Sequence, residues 1–236
     1  MKITAIGDIH GRETWKDIVT DNPGSHYIFL GDYLDSYKEE GIDEEDSVEN
    51  FYQLLDFKKG NSNNVTLLIG NHDFQYLFYP LGATNRLSKK YLSEVREMFQ
   101  DNKNFLQFAY QKKNYLFSHA GVTNSWVKEH IQYLSKIGLK NDMSNIGDIL
   151  NKAGTDMIGR YALSEISYYR KGSKLYGGPL WADHRELVAD YLDNFHQIVG
   201  HNKFYDIETW KEDNGNSSIT FCDCLFSKVD SYTVNI

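Results

Sequence analysis

Cysteine and proline are scarce in this chain, at two and three of 236 residues. Two cysteines and no export signal leave no disulfide framework and fit a reducing cytoplasm. Three prolines leave no Pro-rich linker, and repeats and low-complexity tracts are absent. No apolar run approaches the ~20 residues that a spanning helix needs, which excludes a membrane segment. The N-terminus opens directly on a strand pattern, without a signal peptide. A basic excess is lacking too: 25 Lys and Arg stand against 33 Asp and Glu, a net charge of −8. That balance excludes a chain built to wrap a long nucleic acid.

What is present is ordinary for a soluble globular protein, with 41% hydrophobic and 25% charged residues. The length suits one domain over residues 1–236, with a loop-rich insert around 154–178 that is rich in Tyr and Gly. Much of the acidity lies in Glu39–Asp46, read as a solvated loop entering a helix. Cys222 and Cys224 have the C-x-C spacing that puts two small residues on one strand face.

The first half alternates strand and helix patterns. Strands are expected at Lys2–Ile6, Tyr27–Leu30 and Val65–Ile69, and helices near Arg12–Val19, Glu44–Phe57 and from His72. Val48, Phe51, Tyr52 and Leu55 fall at helical spacing, and Ser88 reads as the N-cap of a helix over Lys89–Gln100. Phe105–Tyr110 and Asn114–Phe117 read as a hairpin, followed by helices near Asn124–Lys136, Ser144–Lys152 and His184–Asn194. The tail 195–234 reads as a β meander with a turn at Asn214-Gly215. The expected fold is α/β: an αββα sandwich of two mixed sheets flanked by helices.

Five short strings each follow an apolar run: G-D-I-H-G (7–11), G-D-Y-L-D (31–35), G-N-H-D (70–73), S-H-A-G (118–121) and G-H-N (200–202). They deliver Asp8, His10, Asp32, Asn71, His119 and His201 to the C-terminal edge of the strands, where open α/β sheets bind ligands. Three imidazoles, two carboxylates and an amide oxygen are too many for one ion. They suit two adjacent divalent metals acting on a phosphorus centre. Mixed N and O donors without thiolate favour Mn²⁺, with Fe or Zn²⁺ as alternatives. Water between two dications ionises near neutral pH, and a poor leaving group then needs a proton, for which histidine is the natural donor.

At these spacings the chain resembles the calcineurin-like metallophosphoesterases, within them the phosphoprotein phosphatase and diadenosine tetraphosphatase branch. The resemblance implies that Asp8 and His10 hold one metal, that Asp32 bridges both, and that Asn71, His119 and His201 complete the second site. It also implies His72 as general acid, with Asp35 orienting it and keeping it charged. Asp73 reads as a capping or supporting residue.

One departure matters: phosphoprotein phosphatases carry a phosphate-gripping Arg directly after the second Asp of the second motif, where this chain has Ser36 and then Tyr37. Replacement candidates are Arg86, Arg185 and Arg12, then Arg160 and Arg170. Gly177–Asp183 (G-G-P-L-W-A-D) resembles a segment near the phosphate pocket, with Trp181 read as a core aromatic or pocket wall. His26, His130, His184 and His196 match no ligand motif. Tyr161, Tyr168, Tyr169 and Tyr176 suit packing under a loop or stacking on a nucleobase. The expected partner is a phosphorylated substrate, small molecule or phosphoprotein. The leading activity is phosphomonoester hydrolysis on a phosphoprotein, nucleotide or RNA end. Alternatives are a dinucleoside polyphosphate hydrolase, a nuclease of the same superfamily, and a non-catalytic metal-binding scaffold.

Overall fold

The structure, a computed structural model, describes residues 1–81, 86–213 and 215–236. Its strands are β1 (Lys2–Ile6), β2 (His26–Phe29), β3 (Val65–Leu68), β4 (Leu106–Gln107) and β5 (Ala109–Lys112). They continue with β6 (Tyr115–Ser118), β7 (His196–Lys203), β8 (Glu208–Lys211), β9 (Ser218–Asp223) and β10 (Tyr232–Asn235). The helices are α1 (Trp15–Asp21), α2 (Glu44–Gly60), α3 (Asn71–Leu77), α4 (Leu92–Asp101) and α5 (Asn124–Glu129). After them come α6 (Ile131–Lys136), α7 (Ile146–Ala153), α8 (Met157–Leu163) and α9 (His184–Ala189).

Two five-stranded sheets form among the described residues, ordered β10-β1-β2-β3-β4 and β5-β6-β7-β9-β8. Strands β1 to β4 run parallel and β10 is antiparallel to β1; β6, β7 and β9 run parallel, with antiparallel β5 and β8 at the edges. Alternation along each strand sorts the side chains into layers. Ile3, Ala5, Ile28 and Leu68 of one sheet meet Phe117, Ile198 and Cys222 of the other in a single buried cluster. On the first sheet's outer face, Ile6, Phe29 and Leu67 pack against Trp15, Phe51, Leu54 and Phe99 from the helices. On the second sheet's outer face, Val199, Ile219 and Phe221 pack against Leu187 of α9. This is the expected αββα sandwich, and its inner strands read as continuous apolar runs because both faces are covered.

Several local expectations differ from the structure. The tail is not a meander: β9 pairs in parallel with β7, β8 folds back on the outer edge, and β10 crosses to the first sheet. Residues 105–110 are split between sheets, β4 pairing with β3 and β5 pairing with β6, because parallel β3 takes Leu106 and Gln107 as partners. Ser88 Oγ accepts from Tyr91 N at 3.2 Å, so it caps the turn before α4, which begins at Leu92. On α2 the core-facing residues are Val48, Phe51, Leu54 and Leu55, whereas Tyr52 is exposed. Helix α9 ends at Ala189. The 154–178 stretch carries α8 and a 3₁₀ turn at Tyr168–Arg170. Cys224 N donates to Cys222 O at 2.9 Å, a tight turn that ends β9 between the two buried thiols. The Asn214 half of the Asn214-Gly215 turn lies outside the described residues.

Candidate metal centre

Four residues, three in the loops after β1 and β2 and one within β7, adopt left-handed backbone: His10 (φ 44°), Asp32 (φ 51°), Asp35 (φ 61°) and His201 (φ 60°). For residues other than glycine this costs on the order of 1–3 kcal/mol each, and it persists only where the surroundings enforce it. Hydrogen bonds between loops supply the enforcement. Ile9 N and His10 N both donate to Asp32 O, at 3.1 and 2.7 Å, and Gly11 N donates to Tyr33 O at 2.9 Å. The buried Asp73 carboxylate accepts from Asp32 N (2.7 Å), Gly70 N (2.8 Å) and Tyr33 N (3.1 Å), tying the second motif to the third. Its bond from Gly70 N also caps the first turn of α3, whose N-cap glycine has no side chain to bond in return.

His201 sits within β7, not beyond it. The β7–β9 register shifts between Val199 and Lys203, and such a bulge re-aims a side chain. His201 N donates to both Asp8 carboxylate oxygens, at 2.9 and 3.2 Å. The motif glycines serve close approach as much as turning. A Cβ at Gly70 would collide with Asp32 Oδ1, and one at Gly200 with Asp8 Oδ1.

The six predicted ligands converge. Asp8, His10 and Asp32 form one group whose donor atoms all lie within 4.8 Å of one another, and Asp32, His119 and His201 form a second. Asp32 belongs to both. Its Oδ2 is 3.7 Å from His10 Nε2 and 3.6 Å from His119 Nε2. The imidazoles are oriented by the backbone. His10 Nδ1 donates to Leu34 O and His119 Nδ1 to Leu30 O, each at 2.8 Å, so both Nε2 lone pairs face the cluster. His119 Nε2 then stands 2.9 Å from Asn71 Oδ1. His201 Nε2 is buried without a hydrogen-bond partner. Lone pairs converging on one another out of water fit a cation between them.

The electrostatics point the same way. Burial pushes the Asp8 and Asp32 carboxyls well above the usual range, and Asp223 beside Asp8 and Asp8 beside Asp32 add to it. Burial also lowers His10 and His201, and takes His119 down to about 3. Neutral imidazole is the metal-binding form, and a dication is the charge these buried carboxylates lack. The residues therefore fit divalent metals.

His72 Nδ1 lies 2.6 Å from Asp35 Oδ2, and Tyr76 Oη donates to Asp35 Oδ1 at 2.6 Å. Asp35 was expected to keep His72 charged. Burial outweighs it and lowers the His72 pKa, with Asp35 opposing and Arg86 reinforcing the shift. Arg86 Nη2 is 3.1 Å from His72 Nε2, and its Nη1 donates to Asp35 O at 2.7 Å.

The other arginine candidates need correction. Arg12 is buried in a bidentate pair with Glu40, both bonds 2.6 Å, so its guanidinium is already neutralised. Arg185 is exposed, binds Asp183 and lies 4.4 Å above the Tyr169 ring. Arg160 binds the carbonyls of Gly154 and Thr155. Arg170 instead reaches inward: it donates to Asn202 Oδ1, pairs with Asp183 Oδ2 at 2.9 Å, and is a cation acting on His201 and His119. Trp181 stands edge-on to His201, with ring centres 5.5 Å apart. The non-motif histidines have local roles. His26 bonds Thr66, His196 bonds Ser218, His130 bonds a Glu165 already matched by Lys174, and His184 packs on Phe204.

Sequence reasoning missed Glu40, Tyr76, Asp223, Tyr37 and Lys203. Tyr76 had a signal, four residues after His72 on the same helix face. Asp223, a lone acid between two cysteines in an apolar strand, is buried with Oδ1 unpartnered and its pKa pushed up to about 6 by burial.

The sequence pattern of the calcineurin-like phosphoesterases matches residues 1–219. The chain belongs to this family, and it is a metal-dependent phosphoric ester hydrolase by class. Among solved structures, a cold-active protein tyrosine phosphatase resolved at 1.1 Å shares 16% identity at a TM-score of 0.50, covering 96% of this chain and 70% of its own. A cold-active protein-tyrosine phosphatase of a psychrophilic Shewanella species shares 15% at 0.48, over 96% and 72%. A Saccharomyces cerevisiae protein serine/threonine phosphatase with similarity to human phosphatase PP5 shares 20% at 0.47, over 94% and 66%. No helix among the described residues is long and apolar enough to cross a membrane.

Proposed function

We propose that this chain is a dinuclear metal-dependent phosphatase that hydrolyses a phosphomonoester, with His72 as general acid. The observation that carries the reading is Asp32, shared by two ligand groups and joined by its own Oδ1 to His72 N at 2.9 Å. Asp8, His10 and Asp32 would hold one ion, and Asp32, Asn71, His119 and His201 the other. Bound there, two divalent ions would activate water and neutralise phosphate oxygens. The N and O donor set supports Mn²⁺ before Fe or Zn²⁺.

The chain's own groups supply the rest. Asp35, steadied by Tyr76, fixes the His72 ring through Nδ1; once a phosphoester draws Arg86 away from Nε2, that nitrogen, protonated from solvent, would pass its proton to the leaving oxygen. Arg86 meets His72 Nε2 at 3.1 Å, so one phosphoester can take Arg86 on a non-bridging oxygen and His72 on its leaving oxygen. Retention of the His72–Asp35 pair beside the ligands weighs against a scaffold that binds metal without turnover. The proposal includes a single domain over 1–236, with 154–178 as an insert bordering the site, and a cytoplasmic setting that suits two free buried thiols.

A second reading, dinucleoside polyphosphate hydrolysis, draws on Tyr168 and Tyr169. Both are exposed, and they directly precede the inward-facing Arg170, where a nucleobase could stack. Both readings meet one test: turnover with Mn²⁺ of a phosphopeptide, nucleoside monophosphates, a 3′- or 5′-phosphorylated oligonucleotide and a dinucleoside tetraphosphate, beside His72→Ala. The proposal expects a phosphomonoester to be turned over and lost in the variant. Preference for the tetraphosphate would select the second reading, and no turnover by metal-loaded protein would favour the scaffold.

A further inference from the structure

Ser36, at the position of the missing arginine, is turned aside: its Oγ donates to Ile42 O at 2.9 Å. The next residue faces the site. The Tyr37 ring stands edge-on to His10, with ring centres 5.0 Å apart. Two cations lie against it, Lys203 Nζ at 3.3 Å and the Arg86 guanidinium carbon at 3.7 Å from the ring centre. At such short separations both must sit near the ring normal, and one face has no room for two. They therefore occupy opposite faces, brought there from separate stretches of chain: Arg86 from before α4, Lys203 from the end of β7.

These two cations differ from their neighbours. Arg12 is matched by Glu40, and Arg170 and Arg185 by Asp183. Among the described residues, neither Arg86 nor Lys203 makes an ion pair; Arg86 bonds a backbone oxygen and His72, and Lys203 rests between the rings of Tyr37 and Phe226. Aromatic faces attract cations without cancelling their charge, so the ring holds both in place, with Asp223 and Glu40 acting on Lys203 without a direct ion pair. Like charges held on the two faces of one ring repel each other, and an anion docked near the ring edge offsets that repulsion.

We propose that Tyr37 is a positioning residue that holds Arg86 and Lys203 on its two faces, building beside the metal ligands a phosphate-binding clamp in place of the arginine absent at Ser36. The inference rests on the phosphatase reading only for the clamp's purpose; the clamp itself is an oxyanion site. The anchoring interaction is the ring face, so phenylalanine can substitute for tyrosine and an aliphatic residue cannot.

The test measures calorimetric affinity for inorganic phosphate on Mn²⁺-loaded protein, with metal content read in parallel. Tyr37→Leu weakens phosphate binding roughly three- to thirtyfold with metal content unchanged, and Tyr37→Phe restores it. Lys203→Met weakens binding in the wild-type background but adds little to Tyr37→Leu, because the clamp is already open. Wild-type affinity in Tyr37→Leu, failure of Tyr37→Phe to restore it, or full additivity of Lys203→Met would overturn the proposal. Metal lost along with phosphate in Tyr37→Leu would also overturn it, leaving Tyr37 a structural part of the His10 loop. Wild-type protein that binds phosphate through the clamp but hydrolyses no phosphoester would support the clamp and contradict the phosphatase reading.

Discussion

His119 Nε2 and Asn71 Oδ1 face each other at 2.9 Å as two acceptors, because the ring's other nitrogen is committed to the carbonyl of Leu30. This arrangement is unfavourable by itself and favourable with a cation between the two. The same holds for His10 Nε2, turned toward Asp8 and Asp32 by its bond to Leu34 O.

In metal-free protein the buried carboxyls and the buried imidazoles should therefore bias stability in opposite directions with pH. The Asp8 and Asp32 pKa values are raised in the folded chain, so the folded state is disfavoured once pH climbs above the ordinary carboxylate value near 4 toward the raised values. The lowered His10, His119 and His201 values oppose this below the ordinary histidine value near 6.5, so thermal melts in chelator should show stability falling as pH rises only above it, where those rings are neutral in both states. Saturating Mn²⁺ should remove the slope and add about 2.7 kcal/mol at a hundred times Kd. A chelated protein whose stability stays flat as pH rises above about 6.5 would contradict the raised carboxyl values.

His72→Ala should lower kcat by roughly 10²–10⁴ on an alkyl phosphate while both metals stay bound. On a p-nitrophenyl ester, whose leaving group needs no proton, the loss should be much smaller. Equal losses on the two substrates would remove His72 as the acid.

Tyr76→Phe should weaken catalysis without touching metal content. Its hydroxyl donates to Asp35 at 2.6 Å, and losing a hydrogen bond to a charged group is worth about 1.5–3 kcal/mol. Asp35, freed on that side, should hold His72 less firmly, so kcat falls more than KM changes. A change confined to KM would place Tyr76 at the substrate instead.

Arg12 and Arg86 should separate cleanly. Arg12→Met opens a buried bidentate pair and should cost stability, about 1–3 kcal/mol because Glu40 is partly exposed, with KM nearly unchanged in the folded fraction. Arg86→Met should raise KM for a phosphoester and leave the melting temperature near wild type. The reverse pattern would exchange their roles.

The ligands were legible because each motif pairs a strand end with a turn, and a turn after a parallel strand can only open on the sheet's C-terminal edge. The helix and strand cores were legible for the same local reason, from apolar period and length. What the sequence hid depends on pairings across long separations. Glu40 in an acidic run looks solvated until Arg12, buried 28 positions earlier, takes it. Arg170 ranked below Arg185, although the turn at Tyr168–Arg170 sends the first inward and leaves the second on Asp183 at the surface. The tail looked like a meander because local pattern carries no information on which sheet a strand joins. Only the packed sandwich assigns β10 to β1. Lys203 and Tyr37 gave no signal, since a ring gathering two cations from distant segments exists only after folding.

Metal stoichiometry of wild type against Asp32→Asn tests the central claim most directly, because Asp32 is the residue common to both ligand groups. Protein loaded with excess Mn²⁺, desalted and assayed for bound metal should carry two ions per wild-type chain and lose both, not one, in the variant. One ion per wild-type chain, or unchanged occupancy in Asp32→Asn, would contradict a centre in which Asp32 joins two metals.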